Sequence, residues 1–465
     1  MSDDGWRARI RWVVAHPTEP TVLLERRDGI QRLPEVEHPG QVWTGNPAQS
    51  LPGLSDLLGT DAVLLRCLEE HEDAAARTQR MTLLAVPRTA PVLAEGLAWA
   101  GRAELAAAGA GPAAARVAGE LEAGSPGPPG RPWAARGWFA GVERWLEDAM
   151  AAIGRPVTGP LEQVRVWELS CVLRAPTAAG DVWFKSNAAS PLLVNEAVVL
   201  GALAGLFPER VPAPLAVDPE RGWMVLDDFG EEVGLVAPLE VVEEVARTFA
   251  RMQVQATGQV GRLLAAGCQD RRLDRLAEQA RAWLPAVEAT TELACIDQAT
   301  WLTDDETAAV RAALPQVLAC CAELAGHAVP PSIVHGDLHL ANVARSQAGW
   351  LFFDWTDACV AHPFLDLATI RRGTAFANAE SDGELRERLR AVYRSEWASF
   401  EPPERLDRAL RLAAPLGALH QAVSYRSIVA QLEPPIDAHM AQSTAWWLRR
   451  MLTELDDAKL GIAGP

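Results

Sequence analysis

A chain of 465 residues exceeds what a single hydrophobic core ordinarily serves, so two or three domains are expected. A net charge of −18 argues against a sequence-independent grip on nucleic acid or on an anionic membrane face, and suits a cationic small substrate only weakly. The opening MSDDGWRARI has acids where a signal peptide has its basic region, and no later run reaches the ~18 uninterrupted apolar residues of a membrane span, so a soluble, cytoplasmic protein is expected.

Taken in order, residues 1–122 form a first unit. Strand-like runs at 10–14, 21–24, 61–69 and 81–86 precede Ala-rich helical segments between 93 and 121, which predicts a mixed α/β domain. The run VVAHPTEPTVLLERRDG, residues 13–29, resembles the opening hairpin of Nudix hydrolases, and LRCLEEHED around Glu69 and Glu70 resembles their acidic helix. The Gly and Arg-Glu positions of that motif are missing, and the apolar run before Glu69 reads as a strand. The resemblance therefore implies a Nudix-like accessory domain without catalysis of its own, with Glu69 and Glu70 on a solvated edge.

Residues 123–132, AGSPGPPGRP, have the Pro/Gly density of a linker. Trp138, Val142, Trp145, Leu146 and Met150 then recur at helical spacing, so a helix over 133–153 should dock one apolar face on the strands C-terminal to it. Strands are predicted at 164–167 and 171–174, flanking Glu168, Leu169 and Ser170, and at 182–185, ending in Lys185. Ser190-Pro191 opens a predicted helix with Glu196 in its early turns, and the buried run 222–226 breaks into an acidic turn at Asp227 and Asp228. Helical patterns cover 239–256, 273–284, 304–325, 382–400, 403–432 and 437–460. Seven scattered cysteines, with no CxxC pair and no Cys/His cluster, read as reduced, mostly buried thiols and support no zinc site.

The most informative stretch is SIVHGDLHLANVARSQAGWLFFDWTDACVAHPFLDLA, residues 332–368. After an apolar approach come His335, Gly336 and Asp337, with Asn342 five residues beyond Asp337. A loop of that length aims one carboxylate at a substrate hydroxyl while an amide oxygen turns toward a phosphate-bound metal. A turn ending at Gly349 and the run Trp350-Leu351-Phe352-Phe353 complete a hairpin that delivers Asp354. An ionised Asp at the end of a buried strand needs a partner, and Mg2+ supplies one.

HGDLHLAN, FFDWTDA and HPFLDLA together make the chain similar to the aminoglycoside phosphotransferase family, over roughly its last two thirds. The resemblance implies an α+β, bilobal protein-kinase-like fold: a lead-in helix and nucleotide lobe over 133–230 and a helical lobe over 231–465. It implies Asp337 as catalytic base, Asn342 and Asp354 as Mg2+ ligands, Asp366 as the buried carboxylate holding the loop, and His335 as its brace. Lys185 and Glu196 would form the ion pair that positions the donor phosphates, Ser170 would face phosphate, and the backbones of Leu226 and Asp227 would bind the base. His420, Gln421, Tyr425 and Arg426, on one helix, would line the acceptor pocket.

The expected reaction moves the γ-phosphate of ATP or GTP to a hydroxyl of a small acceptor such as an aminoglycoside, another antibiotic, a sugar or an amino alcohol. A glycine-poor phosphate loop keeps open a catalytically inactive nucleotide-binding pseudokinase; a protein-substrate kinase fits less well, because no Ala-Pro-Glu segment is recognisable. The acceptor, the choice of nucleotide and the oligomeric state are not legible.

Overall fold

Alternation in RARIRWVV, with Ala8, Ile10 and Trp12 turned inward, makes Arg7–Val14 a strand, β1. It is the first element of a computed structural model that describes residues 5–125, 127, 128, 130–289, 300–371, 379–432, 436 and 438–457. Two compact units result, the first comprising Met1–Ala189, Trp223–Asp228 and Glu433–Ile436, and the second Ser190–Gly222, Phe229–Leu432 and Asp437–Pro465.

In the first unit β1 is followed by β2 (Val22–Arg27), β3 (Ile30–Arg32), β4 (Glu35–Pro39), α1 (Pro47–Leu58), β5 (Ala62–Asp73), β6 (Thr78–Pro87), β7 (Leu97–Ala100), α2 (Arg102–Ala107) and α3 (Pro112–Glu122). One sheet has the order β4-β1-β6-β5, with β1 and β6 parallel, and a second has the order β3-β2-β7. The acidic pair Glu69-Glu70 rides strand β5, as its β-rich approach required; Glu69 accepts from Thr82 Oγ1 at 3.0 Å and Glu70 from Gln79 Nε2 at 2.8 Å. The Ala-rich stretch departs from expectation at 97–100, which is strand β7 paired with β2. Gly96, with φ 90°, sets that strand off, and helix starts only beyond it. Helix α1 has no counterpart in the hydrophobic pattern, yet its punctuation is visible: Asn46 caps it, Pro47 opens it and Gly59 closes it at φ 64°.

Helix α4 (Trp138–Ala152) buries Val142, Leu146 and Met150. Trp138 and Trp145 close edge-on around Phe184 and Trp223, with ring centroids 5.5–6.0 Å apart. Strands β8 (Glu162–Val166), β9 (Ser170–Thr177) and β10 (Gly180–Asn187) form an antiparallel ladder. Gln163 of β8 bonds the backbone of Leu64 on β5 in both directions, at 2.8 and 2.9 Å, so residues on both sides of 123–132 share one unit.

The second unit begins with a turn at 190–195 in place of the expected helix start. Leu193 N bonds Ser190 O at 3.1 Å, and α5 (Glu196–Leu206) starts only after Asn195. After β11 (Ala216–Asp218) the chain returns to the first unit for β12 (Trp223–Asp227), which pairs antiparallel with β10. Then come α6 (Leu239–Ala256), α7 (Val260–Ala265), β13 (Gln269–Asp270), α8 (Leu273–Trp283), α9 (Asp304–Ala312), α10 (Leu314–Ala325), β14 (Ser332–Val334), β15 (Val343–Ser346), β16 (Gly349–Phe352), β17 (Cys359–Ala361), α11 (Ala379–Glu396), α12 (Pro403–Val429) and α13 (Ala438–Asp457). The ends of the predicted last helix, at 437 and 458–460, lie outside the described residues.

Among the described residues one stretch, Asp304–Ala325, is long and apolar enough to cross a membrane by length and mean hydropathy (1.4). It is two helices, divided at Ala313 ahead of Pro315, and Asp304, Asp305 and Glu306 occupy the first turn. Five of the six described cysteines are buried and all six are free; Cys295 lies outside the described residues. Burial pushes the thiols of Cys268 and Cys321 up to about 12, so they are unreactive packing groups.

Candidate active site

Strand β14 stops at Val334 because the next two backbone N–H groups turn away from the sheet to a side chain. His335 N and Gly336 N each donate to the carboxylate of Asp366 at 3.0 Å, and Gln253 Nε2 of α6 donates to it at 3.1 Å. Asp366 is 1% exposed on a short 3-10 turn, Pro363–Ala368. Burial pushes its carboxyl up to about 7, opposed by the backbone N–H bonds of Gly336 and His335. On the other side Gln421 Nε2 of α12 donates to Gly336 O at 2.5 Å. Helix α12 comes this close because position 417 is glycine: a Cβ there would stand 2.9 Å from Leu365 O.

Gly336 itself has φ 83°, and a Cβ on it would lie 2.7 Å from the Cβ of Asp357. The glycine of His-Gly-Asp is thus a steric requirement. The His335 ring is buried, with Nε2 3.0 Å from Phe353 O and its ring centroid 4.5 Å from that of Trp355. A carbonyl only accepts, so Nε2 carries the proton. Burial lowers the pKa of this ring to about 4. The neutral imidazole ties the Asp337 loop to the segment that carries Asp354.

Asp337 is the half-buried tip of the loop, its side chain 30% accessible, with His339 Nε2 3.3 Å from Oδ2. Asn342 Nδ2 donates to Asp337 O at 2.9 Å, which commits the nitrogen and leaves the amide oxygen as its ligand-capable atom. Hairpin β15-β16 pairs Val343 with Phe352, and Phe353 N donates to Asn342 O at 3.1 Å. Asn342 and Asp354 therefore sit at the same end of one hairpin. Asp354 has φ 61°, a left-handed conformation uncommon for a non-glycine residue and typical of functional positions. Thr356 Oγ1 donates to Asp354 Oδ1 at 2.7 Å, and lies 3.4 Å from Glu196 Oε2. Glu196 Oε1 accepts from Trp355 N at 2.7 Å.

The donor set suits Mg2+, which takes one or two protein oxygens and fills its octahedron with water and phosphate. No group of three or more His, Cys, Asp or Glu able to hold a metal occurs among the described residues, so an all-protein cage is absent there.

The other residues singled out from sequence take up varied positions. Lys185 stands on β10 of the first unit, half-buried. Ser170 opens β9 and is buried, its Oγ accepting from Trp167 Nε1 at 2.8 Å. Leu226 and Asp227 end β12, where Arg155 grips the Asp227 carboxylate at 2.9 and 3.0 Å. His420 is buried with Nε2 3.6 Å from Cys359 Sγ, and burial holds its pKa well below the usual histidine range. Tyr425 is buried on the same helix, while Arg426 is exposed and stacks over the Trp283 ring. Gln421 thus supports the loop from behind. The sequence reading missed His339, Thr356 and Gln253; His339 alone had a local signal, two residues past Asp337.

The buried histidines set a pH dependence. His335 (to about 4), His362 (to about 3) and His420 (well below its ordinary value) are all depressed by burial, so the unfolded chain takes up their protons first on acidification. Their stabilisation is full above about pH 6.5 and is lost as pH falls toward 4. Asp366, raised to about 7, has the opposite sign: its contribution is full below about pH 4 and lost as pH rises through 7. Three groups outweigh one. With about 1.4 kcal/mol per pH unit per proton, denaturant unfolding at pH 5 should show a stability on the order of 4 kcal/mol below that at pH 7.5. An equal or higher stability at pH 5 would contradict the buried, neutral state of these rings.

Residues 182–407 match the family model described as the phosphotransferase enzyme family. No curated protein sequence matches the chain. Solved structures similar to it include a choline/ethanolamine kinase family protein from Mesorhizobium loti, 19% identical over 67% of this chain and 98% of that one, with a TM-score of 0.44. A macrolide 2'-phosphotransferase from Brachybacterium faecium is 20% identical over 63% and 98%, TM-score 0.40. A choline kinase from Streptococcus pneumoniae is 14% identical over 68% and 99%, TM-score 0.43.

Proposed function

We propose, from the membership of residues 182–407 in the phosphotransferase enzyme family, that the protein transfers the γ-phosphoryl group of ATP to a hydroxyl of a small acceptor. The observation that carries this is the clamped loop: Asp366 and Gln421 fix the backbone of Gly336 from two sides, so Asp337 is presented without freedom to wander.

In this reading Asp337 orients the acceptor hydroxyl and takes its proton, and His339, 3.3 Å away, holds the carboxylate in place. Asn342 and Asp354 offer the two oxygen ligands, and the contact from Thr356 fixes the Asp354 rotamer. Mg2+, when bound there with nucleotide, neutralises charge on the transferring phosphoryl oxygens. Lys185 positions the donor phosphates; the segment at Ser170 covers them, and the backbone of Leu226 and Asp227 binds the base. Glu196 Oε1, bonded to Trp355 N, ties the start of α5 to the segment that carries Asp354.

The test is nucleotide consumption by the purified chain, with ATP and separately GTP, across a panel of small alcohols. Acceptor-stimulated release of ADP that requires Mg2+, and that falls at least about 100-fold in Asp354→Ala, is the expected result. Tight nucleotide binding with no turnover on any alcohol would replace this reading with that of a nucleotide-binding module.

A further inference from the structure

Residues 1–122 supply none of the chemistry proposed above, yet one of their segments touches the turn that covers the donor phosphates in that reading. Segment 42–46, between β4 and α1, is pinned at both ends. Gln79 of β6 bonds the backbone of Val42 in both directions, Oε1 accepting from its N–H and Nε2 donating to its carbonyl, each at 2.9 Å. Trp43 N donates to Gln49 Oε1 of α1 at 3.2 Å. Asn46, whose N–H donates to Trp43 O at 2.9 Å, caps the same helix. With its backbone groups committed to β6 and α1, the segment is a stiff tab on the N-terminal domain.

The tab meets the end of β8. Gly45 O accepts from Val166 N, in the last residue of that strand, at 2.9 Å. The rings of Trp43 and Trp167 are 6.0 Å apart and tilted by 60°, and the Arg165 guanidinium lies 5.7 Å from the Trp43 ring centroid. Position 45 has no room for a side chain: a Cβ there would lie 2.7 Å from the Trp43 ring and 3.0 Å from the Cβ of Trp167. Val166 leads directly into the turn 167–170, where Trp167 N donates to Ser170 O at 3.1 Å and Trp167 Nε1 to Ser170 Oγ at 2.8 Å. Farther back on β8, the bonds of Gln163 to both backbone groups of Leu64 tie the same strand to β5. Every one of these residues belongs to the first unit, as do Lys185, Leu226 and Asp227.

A turn that covers phosphates must be ordered when nucleotide binds, and each residue fixed at that moment costs about 1–2 kcal/mol. Trp-Glu-Leu-Ser contains no glycine, and the strand that enters it is held from outside, so its ordering precedes the nucleotide. We propose that the N-terminal α/β domain braces the nucleotide-covering turn 167–170 through this tab, with Trp43 and Gly45 as positioning residues for the donor. The turn's role rests on the kinase reading, but the brace is measurable without turnover.

The experiment is amide hydrogen exchange of the full chain, followed by peptide mass over residues 163–170, beside equilibrium binding of ATP with Mg2+. Trp43→Ala removes the ring contact at a position already 38% exposed, so the core of the domain is kept. Exchange over 163–170 should quicken at least about tenfold and ATP affinity fall about fivefold or more, while exchange over β5 and β6 stays as in the unaltered chain. Gly45→Ala, which displaces the tab by its added Cβ, should act in the same direction. Val92→Ala, 96% exposed in the same domain, is the control and should change neither quantity. Unchanged exchange over 163–170 in both tab variants overturns the brace, and faster exchange with unaltered ATP affinity overturns its part in donor binding. Failure of the unaltered chain to bind ATP would instead remove the kinase reading, and the exchange comparison still decides the brace.

Discussion

Replacement of Asp337 by asparagine is expected to lower acceptor-dependent phosphoryl transfer by about three orders of magnitude, within the 10²–10⁴ range of a lost general base. The exchange is nearly isosteric, and the side chain is 30% accessible, so no buried charge is uncovered. The bond that shapes the loop here, Asn342 Nδ2 to Asp337 O, uses the backbone and survives. The unfolding midpoint and the KM for nucleotide should therefore change little while kcat collapses. Steady-state kinetics beside a denaturant melt of the same preparation separates the two effects. More than a tenth of the original kcat remaining would show that Asp337 is not the base.

The second large effect is at Gly336. Gly336→Ala places a side chain at φ 83°, costing about 1–2 kcal/mol, and drives its Cβ into Asp357, 2.7 Å from that residue's Cβ. Overpacking adds about 1–3 kcal/mol, for a total of roughly 2–5 kcal/mol. Relief is possible only by moving the loop, and that breaks the N–H bonds to Asp366 and the carbonyl bond to Gln421. Activity should fall with stability, including in the fraction still folded. Gly383→Ala is the control: it lies in α11 with nothing within 4 Å of the added Cβ, so a neutral or slightly stabilising effect is expected there. Equal melting of the Gly336→Ala protein and the unaltered chain would refute the steric account of the motif.

Local rules carried the sequence reading through most elements. Helix α6 spans the predicted 239–256, and hairpin β15-β16 arises from a turn signal between short apolar runs. Where the reading departed, a competing rule won. Ser190-Pro191 resembles a helix start, yet the helix waits for Glu196, whose carboxylate is held by Trp355 N some 160 positions downstream. Residues 97–100 sit in an Ala-rich stretch, yet pair with β2. In both cases a tertiary partner overrode a local preference.

What the sequence by itself determined is the grouping of the candidate residues, since Asp337, Asn342 and Asp354 lie within one short hairpin segment. Chain connectivity alone brings them to the same end, and their spacing is sufficient information. Tertiary structure decided how those residues are held. The N–H groups of the loop are fixed by a carboxylate about 30 residues away, its carbonyl by an amide 85 residues away, and Asp227 is gripped by Arg155 from 72 residues upstream. Such contacts depend on how helices pack, and packing leaves no fixed spacing in the chain, because any pair of surfaces of matching shape satisfies it equally well.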